Sequence, residues 1–167
     1  TYTFDDVITH KHVVVAPSQL LRLAAVRNVG GYPVGLHIED WYMWLRLTER
    51  GHLLAVVPEQ LVQYRRHEHN MSSDAASNLA ARIWILEQFR EHRLYPYALA
   101  RTHISAAIDL SCTSRRLARR HLASAAALSA RSVFTSQFAS AATRLVLPCV
   151  VVSVLARVRS RLRRLTT

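Results

Sequence analysis

The sequence predicts an α/β arrangement over residues 1–74 and an all-helical region over residues 75–167. Three observations carry that expectation. Short β-branched runs alternate with helical patterns before residue 74; all four glycines lie at or before Gly51; and the charge balance changes from 7 basic and 8 acidic residues over 1–74 (net −1) to 15 and 3 over 75–167 (net +12). The change falls at Ser72-Ser73-Asp74, side chains that also suit the start of a helix, so the domain boundary is placed there.

In chain order, Val13-Val14-Val15 reads as a strand. Pro17-Ser18 then opens a helical pattern with apolar positions at Leu20, Leu21, Ala24 and Ala25, closed by Gly30-Gly31. Glu39 to Leu47 is apolar on nearly every side after its two acids, the mark of a buried helix, and Gly51 stops it. Leu53 to Val57 reads as a strand, Pro58-Glu59 as a turn, and Leu61 to Tyr64 as a second short strand. From Ala75 only helices are predicted, over 75–92, 97–111, 114–130 and 132–147, with one more after Pro148. Short connections make them antiparallel neighbours.

Composition narrows the classes. Half of the 167 residues are apolar, and a chain of this length buries roughly 70% of its unfolded surface, so disulfide staples are unnecessary. Only Cys112 and Cys149 are present, with no C-x-x-C pair, which gives neither a disulfide framework nor a cysteine zinc site and suits a reducing compartment. The chain starts at Thr1 without the basic start and apolar stretch of a signal peptide, and a piece of a longer protein is expected.

Leu145 to Ala156 is nearly apolar but contains Pro148 and is short of the roughly 20 residues that cross a bilayer. Behind it, Arg157, Arg161 and Arg164 share one helical face while Val154, Val158, Leu162 and Leu165 tend to the other. That pattern fits a helix lying on an anionic membrane surface, and equally a core helix with a basic tail. The first alternative predicts a cytoplasmic protein, peripheral at the inner membrane face.

Several residues could carry chemistry. Glu39-Asp40 opens a helix, where free N–H groups and the peptide dipoles favour negative charge; capping accounts for the pair, and so does an ionised base at a cleft mouth. Gly30-Gly31 is first a helix stop, and can also let backbone approach a ligand. His67 and His69 share a face if the strand continues, as do His10 and His12; two histidines without a third ligand are commonly surface residues. Tyr64-Arg65-Arg66 places cations beside His67, a combination that suits a diphosphate or a solvated strand end.

Read in order, Pro17-Ser18-Gln19-Leu20-Leu21-Arg22, Val29-Gly30-Gly31-Tyr32, Glu39-Asp40-Trp41-Tyr42-Met43-Trp44-Leu45-Arg46, Val57-Pro58-Glu59 and Tyr64-Arg65-Arg66-His67-Glu68-His69-Asn70-Met71-Ser72 resemble the C-terminal part of a family 2 glycosyltransferase with the GT-A fold. The likeness covers about residues 10 to 73. It implies that Asp40 is the catalytic base for an acceptor hydroxyl, with inversion at the anomeric carbon, and that Glu39 orients the acceptor or Asp40. Gly30, Gly31, Arg65 and Arg66 would lie on the donor, a nucleotide-diphosphate sugar, and His67 would help hold a divalent metal ion, Mg2+ or Mn2+. The acceptor would be a lipid-linked or polysaccharide hydroxyl. The family's nucleotide-binding half and its Asp-x-Asp metal motif would precede this sequence and do not occur in it, so the resemblance implies that this chain alone is inactive.

A different class of function is an arginine-rich helical module that grips nucleic acid or assembles with a partner without catalysis. Charge permits it, since 21 of the 22 cations are Arg. No zinc finger, helix-turn-helix or aromatic RNA-binding signature occurs, and Trp41 and Trp44 fall on the buried pattern, so no specific nucleic-acid partner is expected.

Overall fold

The computed structural model describes residues 1–10, 16–59, 61–63, 65, 74–152 and 154. Its helices are α1 (Phe4–Ile8), α2 (Leu23–Asn28), α3 (Glu39–Glu49), α4 (Ala75–Glu87), α5 (Tyr95–Leu110), α6 (Arg115–Leu128), α7 (Ala130–Val133) and α8 (Ser136–Val146). Helical turns resume at 149–152.

Helix makes up 64% of the described residues and strand 1%, so the fold is all-helical, and both the α/β expectation and the GT-A architecture implied by the resemblance are overturned. The reason is that strand propensity needs a ladder to act on. Among the described residues the one extended pairing is an antiparallel bridge in which Tyr2 N–H donates to Leu54 O at 2.7 Å and Leu54 N–H to Tyr2 O at 3.1 Å. Leu53, Val56 and Val57, expected in a strand, are more than half exposed, and Leu61 and Val62 are exposed as well. The predicted strand at 13–15 lies outside the described residues.

Internal packing divides the chain into two compact units, Thr1–Ala98 and Leu99–Thr167, whereas the charge step lies near residue 74. In the first unit, α1 forms because Thr3 donates its N–H and its hydroxyl to the Asp6 carboxylate, at 3.0 and 2.8 Å, tying the first turn. Val7 and Ile8 are then fully buried where α1 packs on α3. The helix foreseen from Pro17 starts later: 16–18 is a single 3-10 turn and α2 begins at Leu23, leaving Leu20 exposed. α2 ends where Gly30 adopts φ +90°, a left-handed value that glycine tolerates without penalty. Gly31 N–H reaches Val26 O at 3.0 Å and Gly30 N–H reaches Arg27 O at 3.1 Å, the double closure typical of a glycine C-cap.

α3 is the centre of this unit. Trp41, Met43, Trp44, Leu45 and Leu47 are buried, and Ala25 and Val29 of the α2 segment join Met43 and Leu47 in one cluster. α4 begins at Asp74, whose carboxylate accepts the N–H groups of Ala76 and Ser77, each at 3.1 Å. Trp84 of α4 meets Tyr42 of α3 at 5.7 Å between centroids, and Phe89, just after α4, meets Phe4 of α1 edge-on at 5.3 Å.

The second unit is built on alanine. Ala100, Ile104 and Ala107 of α5, Ala118 and Ala125 of α6, and Ala141 and Leu145 of α8 form its buried cluster. The helix predicted over 114–130 ends at Leu128, and the one predicted over 132–147 is interrupted at Phe134 and Thr135. Ser132, fully buried, donates its hydroxyl to Ala125 O at 3.0 Å and fixes that corner, and Thr135 caps α8 through Phe138 N–H at 3.2 Å. Among the described residues no helix is long and apolar enough to cross a membrane.

Candidate functional site

The acid pair sits on the most firmly held element of the first unit. Glu39 and Asp40 are the first two residues of α3, and neither occupies the cap position, which belongs to Ile38. Ile38 has φ 64° and ψ 41°, a left-handed conformation that crowds a β-branched side chain, and it makes no side-chain cap hydrogen bond. Asp40 takes over part of the capping: its Oδ1 accepts the Trp41 N–H at 2.7 Å. Backbone strain beside a half-buried acid is the kind of local cost found at working sites.

Burial pushes the Asp40 carboxyl above the ordinary aspartate range; the hydrogen bond from Trp41 N–H opposes this and the adjacent Glu39 charge adds to it. Its chemistry is therefore that of a strengthened carboxylate base. Below Asp40, α3 is anchored twice by indole groups. Trp41 Nε1–H donates to Val7 O at 3.1 Å, with the His10 ring stacked on it at 4.2 Å between centroids, and Trp44 Nε1–H donates to Gln19 Oε1 at 2.7 Å.

Gln19 also links α3 to the glycine turn, because besides the Trp44 indole its side chain hydrogen-bonds the Tyr32 phenol. Burial raises the Tyr32 pKa, Gln19 lowers it, and the charges of Asp40 and Glu39 raise it further, so Tyr32 lies within electrostatic reach of both acids. Of the predicted site residues, Glu39 and Asp40 thus lie within electrostatic reach of Tyr32, the residue that follows the glycine pair. A Cβ built on Gly30 or Gly31 meets nothing within 4 Å, so the protein itself does not crowd this turn; its left-handed backbone and the closure of α2 account for the glycines.

Of the other predicted site residues Arg65 alone is described, and it is exposed. Arg66 and His67, like His12 and His69, lie outside the described residues. Among the described residues no group of three or more His, Cys, Asp or Glu side chains converges to hold a metal ion, and His67, the ligand that the resemblance implies, lies outside them.

Sequence reasoning missed Gln19, Tyr32 as an acid neighbour, and two pairs in the second unit, His103 with His121 and Cys112 with Cys149. The histidines had a signal: each lies nine residues from Cys112, the centre of the α5–α6 turn, which aligns them across a helical hairpin. Arg116, Arg119 and Arg120 are exposed on α6, and the arginine-rich tail from Arg157 lies outside the described residues. Compared with protein-family models, curated proteins and solved structures, the chain gives no match.

Proposed function

We propose that Asp40 is the general base of an inverting glycosyl transfer, accepting the proton of an acceptor hydroxyl as that oxygen attacks the anomeric carbon of a nucleotide-diphosphate sugar. This chain supplies the acceptor side, and a nucleotide-binding segment supplies the donor side. The observation that carries the reading is the half-buried Asp40 carboxyl, raised in basicity, at the start of a rigid helix and beside the open Gly30-Gly31-Tyr32 turn.

The chemistry needs a carboxylate that is ionised near neutral pH yet basic enough to take a proton as it leaves. Burial supplies the basicity. The Trp41 N–H on Oδ1 keeps the group oriented and ionised, and a carboxylate has about four acceptor positions, which leaves room for an incoming hydroxyl. Glu39 adds negative charge that further favours proton uptake, and the Tyr32 phenol offers a polar group to an acceptor sugar or lipid headgroup. Attack from the Asp40 side, opposite the departing diphosphate, inverts the anomeric centre.

The test is sugar transfer by the polypeptide that joins this chain to a nucleotide-binding segment, followed with labelled nucleotide sugars. Asp40→Asn is expected to lower kcat by about a thousandfold, within the range of general-base losses, with the helical circular dichroism unchanged. An Asp40→Asn protein that retains turnover, or a native polypeptide that transfers no sugar, overturns the reading. This chain by itself is expected to transfer none.

A further inference from the structure

Cys112 and Cys149 are 37 positions apart in the sequence, yet the fold of the second unit brings their thiols into hydrogen-bonding reach. Cys112 is exposed in the turn after α5, and Cys149 is partly exposed where helical turns resume after Pro148. Arg115, the first residue of α6, stands beside them. Its Nη2 donates to Leu147 O at 2.7 Å, holding the end of α8, and lies 4.0 Å from Cys149 Sγ.

The hydrogen bond from Cys112 lowers the Cys149 thiol, burial opposes it, and the Arg115 guanidinium lowers it further. Cys112, as the donor next to that sulfur, is raised, with burial adding to the effect. The guanidinium 4.0 Å from Cys149 Sγ thus favours a thiolate on that sulfur.

We propose that Cys149 and Cys112 form a reversible dithiol–disulfide pair whose co-substrate is a low-molecular-weight disulfide such as oxidised glutathione. The Cys149 thiolate attacks one sulfur of that disulfide, forming a mixed disulfide and releasing one thiolate, which takes up the proton Cys149 gave to solvent. Cys112 then loses its proton and attacks the Cys149 sulfur; the second small thiolate leaves and is protonated. In sum, two protein thiols are oxidised to one disulfide while one small disulfide is reduced to two thiols. The bond staples the α5–α6 turn to the segment that follows α8, and excess small thiol reverses it. This pair works independently of Asp40.

The experiment treats the reduced chain with oxidised glutathione and maps the products by mass spectrometry, with iodoacetamide alkylation followed against pH. The expected products are a disulfide within one chain linking the Cys112 and Cys149 peptides, and, in Cys112→Ser, a glutathione adduct held on Cys149. Cys149 is expected to alkylate at lower pH than Cys112. Arg115→Gln is expected to slow Cys149 alkylation at neutral pH by about tenfold, and Arg115→Lys, which keeps a cation, to recover part of the rate. Disulfides only between chains, an adduct that forms first on Cys112, or equal pH profiles for the two thiols would each overturn the proposal.

Discussion

His103 on α5 and His121 on α6 face each other with their Nδ1 atoms 2.9 Å apart and their rings 5.1 Å between centroids. One nitrogen must donate and the other accept, so at least one ring is neutral in this arrangement. Burial lowers both pKa values, and the proximity of His121 lowers that of His103 further. A histidine with a depressed folded pKa binds protons more readily when unfolded. Stability is thus fully present above the unfolded value of about 6.5 and is lost as the pH falls toward the folded value. The melting temperature of the second unit should drop as the pH falls below about 6.5, and His121→Phe should flatten that drop. Equal pH slopes in the two proteins would remove the pair as its cause.

The sign is opposite at Asp40. Its folded pKa is raised above 3.8, so the stability it contributes is full below the unfolded value and is lost as the pH rises through the folded one. At neutral pH the ionised group is a local burden kept at the site. Asp40→Asn retains an oxygen for the Trp41 N–H and should raise stability at pH 7. The gain should be less than about 1 kcal/mol, because solvent still screens the carboxyl, and should vanish near pH 3. Paired thermal melts at the two pH values check it.

Trp41→Phe removes the indole that spans from α3 to α1. The Val7 carbonyl keeps one partner, the His10 N–H at 3.1 Å, so it is not orphaned. The expected cost is about 2 kcal/mol, from one buried hydrogen bond and the space left by the missing ring, measured by urea unfolding. A loss of under about 0.5 kcal/mol would mean that the Trp41 anchor contributes little.

The exposed Arg116, Arg119 and Arg120 lie at i, i+3 and i+4 on α6 and give the second unit a cationic face that an anionic leaflet would attract. At about 1 kcal/mol per arginine, replacing all three by Gln should weaken binding to phosphatidylglycerol vesicles by on the order of a hundredfold at low salt. Raising the salt should do the same to the native chain. Equal binding by both proteins removes this face from membrane contact.

The parts of the molecule legible in the sequence are those fixed by local chemistry. α3 could be read because Trp41, Met43, Trp44, Leu45 and Leu47 bury most of its surface, and its end because Gly51 can turn left-handed there. Asp74 could be read as a cap because a carboxylate before a helical run has free N–H groups to accept. The strand reading of Leu53 to Val57 went wrong because β-branched residues state a preference while pairing needs a neighbour, and only Leu54 has one among the described residues. α1 escaped notice because five residues are too few for a helical period; the Thr3–Asp6 tie holds it. Within the candidate site, Asp40 and the glycine turn were visible one by one. Gln19 joins Trp44 to Tyr32 from the stretch after Pro17, where the expected helix is only a 3-10 turn, so its reach could not be read from periodicity.

Ile38 offers the sharpest separation of folding from function. Its backbone is left-handed immediately before the acid pair, a state that costs a non-glycine residue about 1–2 kcal/mol and a β-branched one at least as much. Asn tolerates that conformation better, and Ile38 is only partly buried, so the lost apolar contact is small. Ile38→Asn should therefore stabilise the chain by about 0.5–1 kcal/mol in urea unfolding. If the strained turn serves to aim Asp40, the same substitution in the transfer-competent polypeptide should leave KM near its native value and lower kcat, since the base is misplaced only when the hydroxyl must be deprotonated. A variant that is more stable and equally active would show that the left-handed turn serves only to connect the chain into α3.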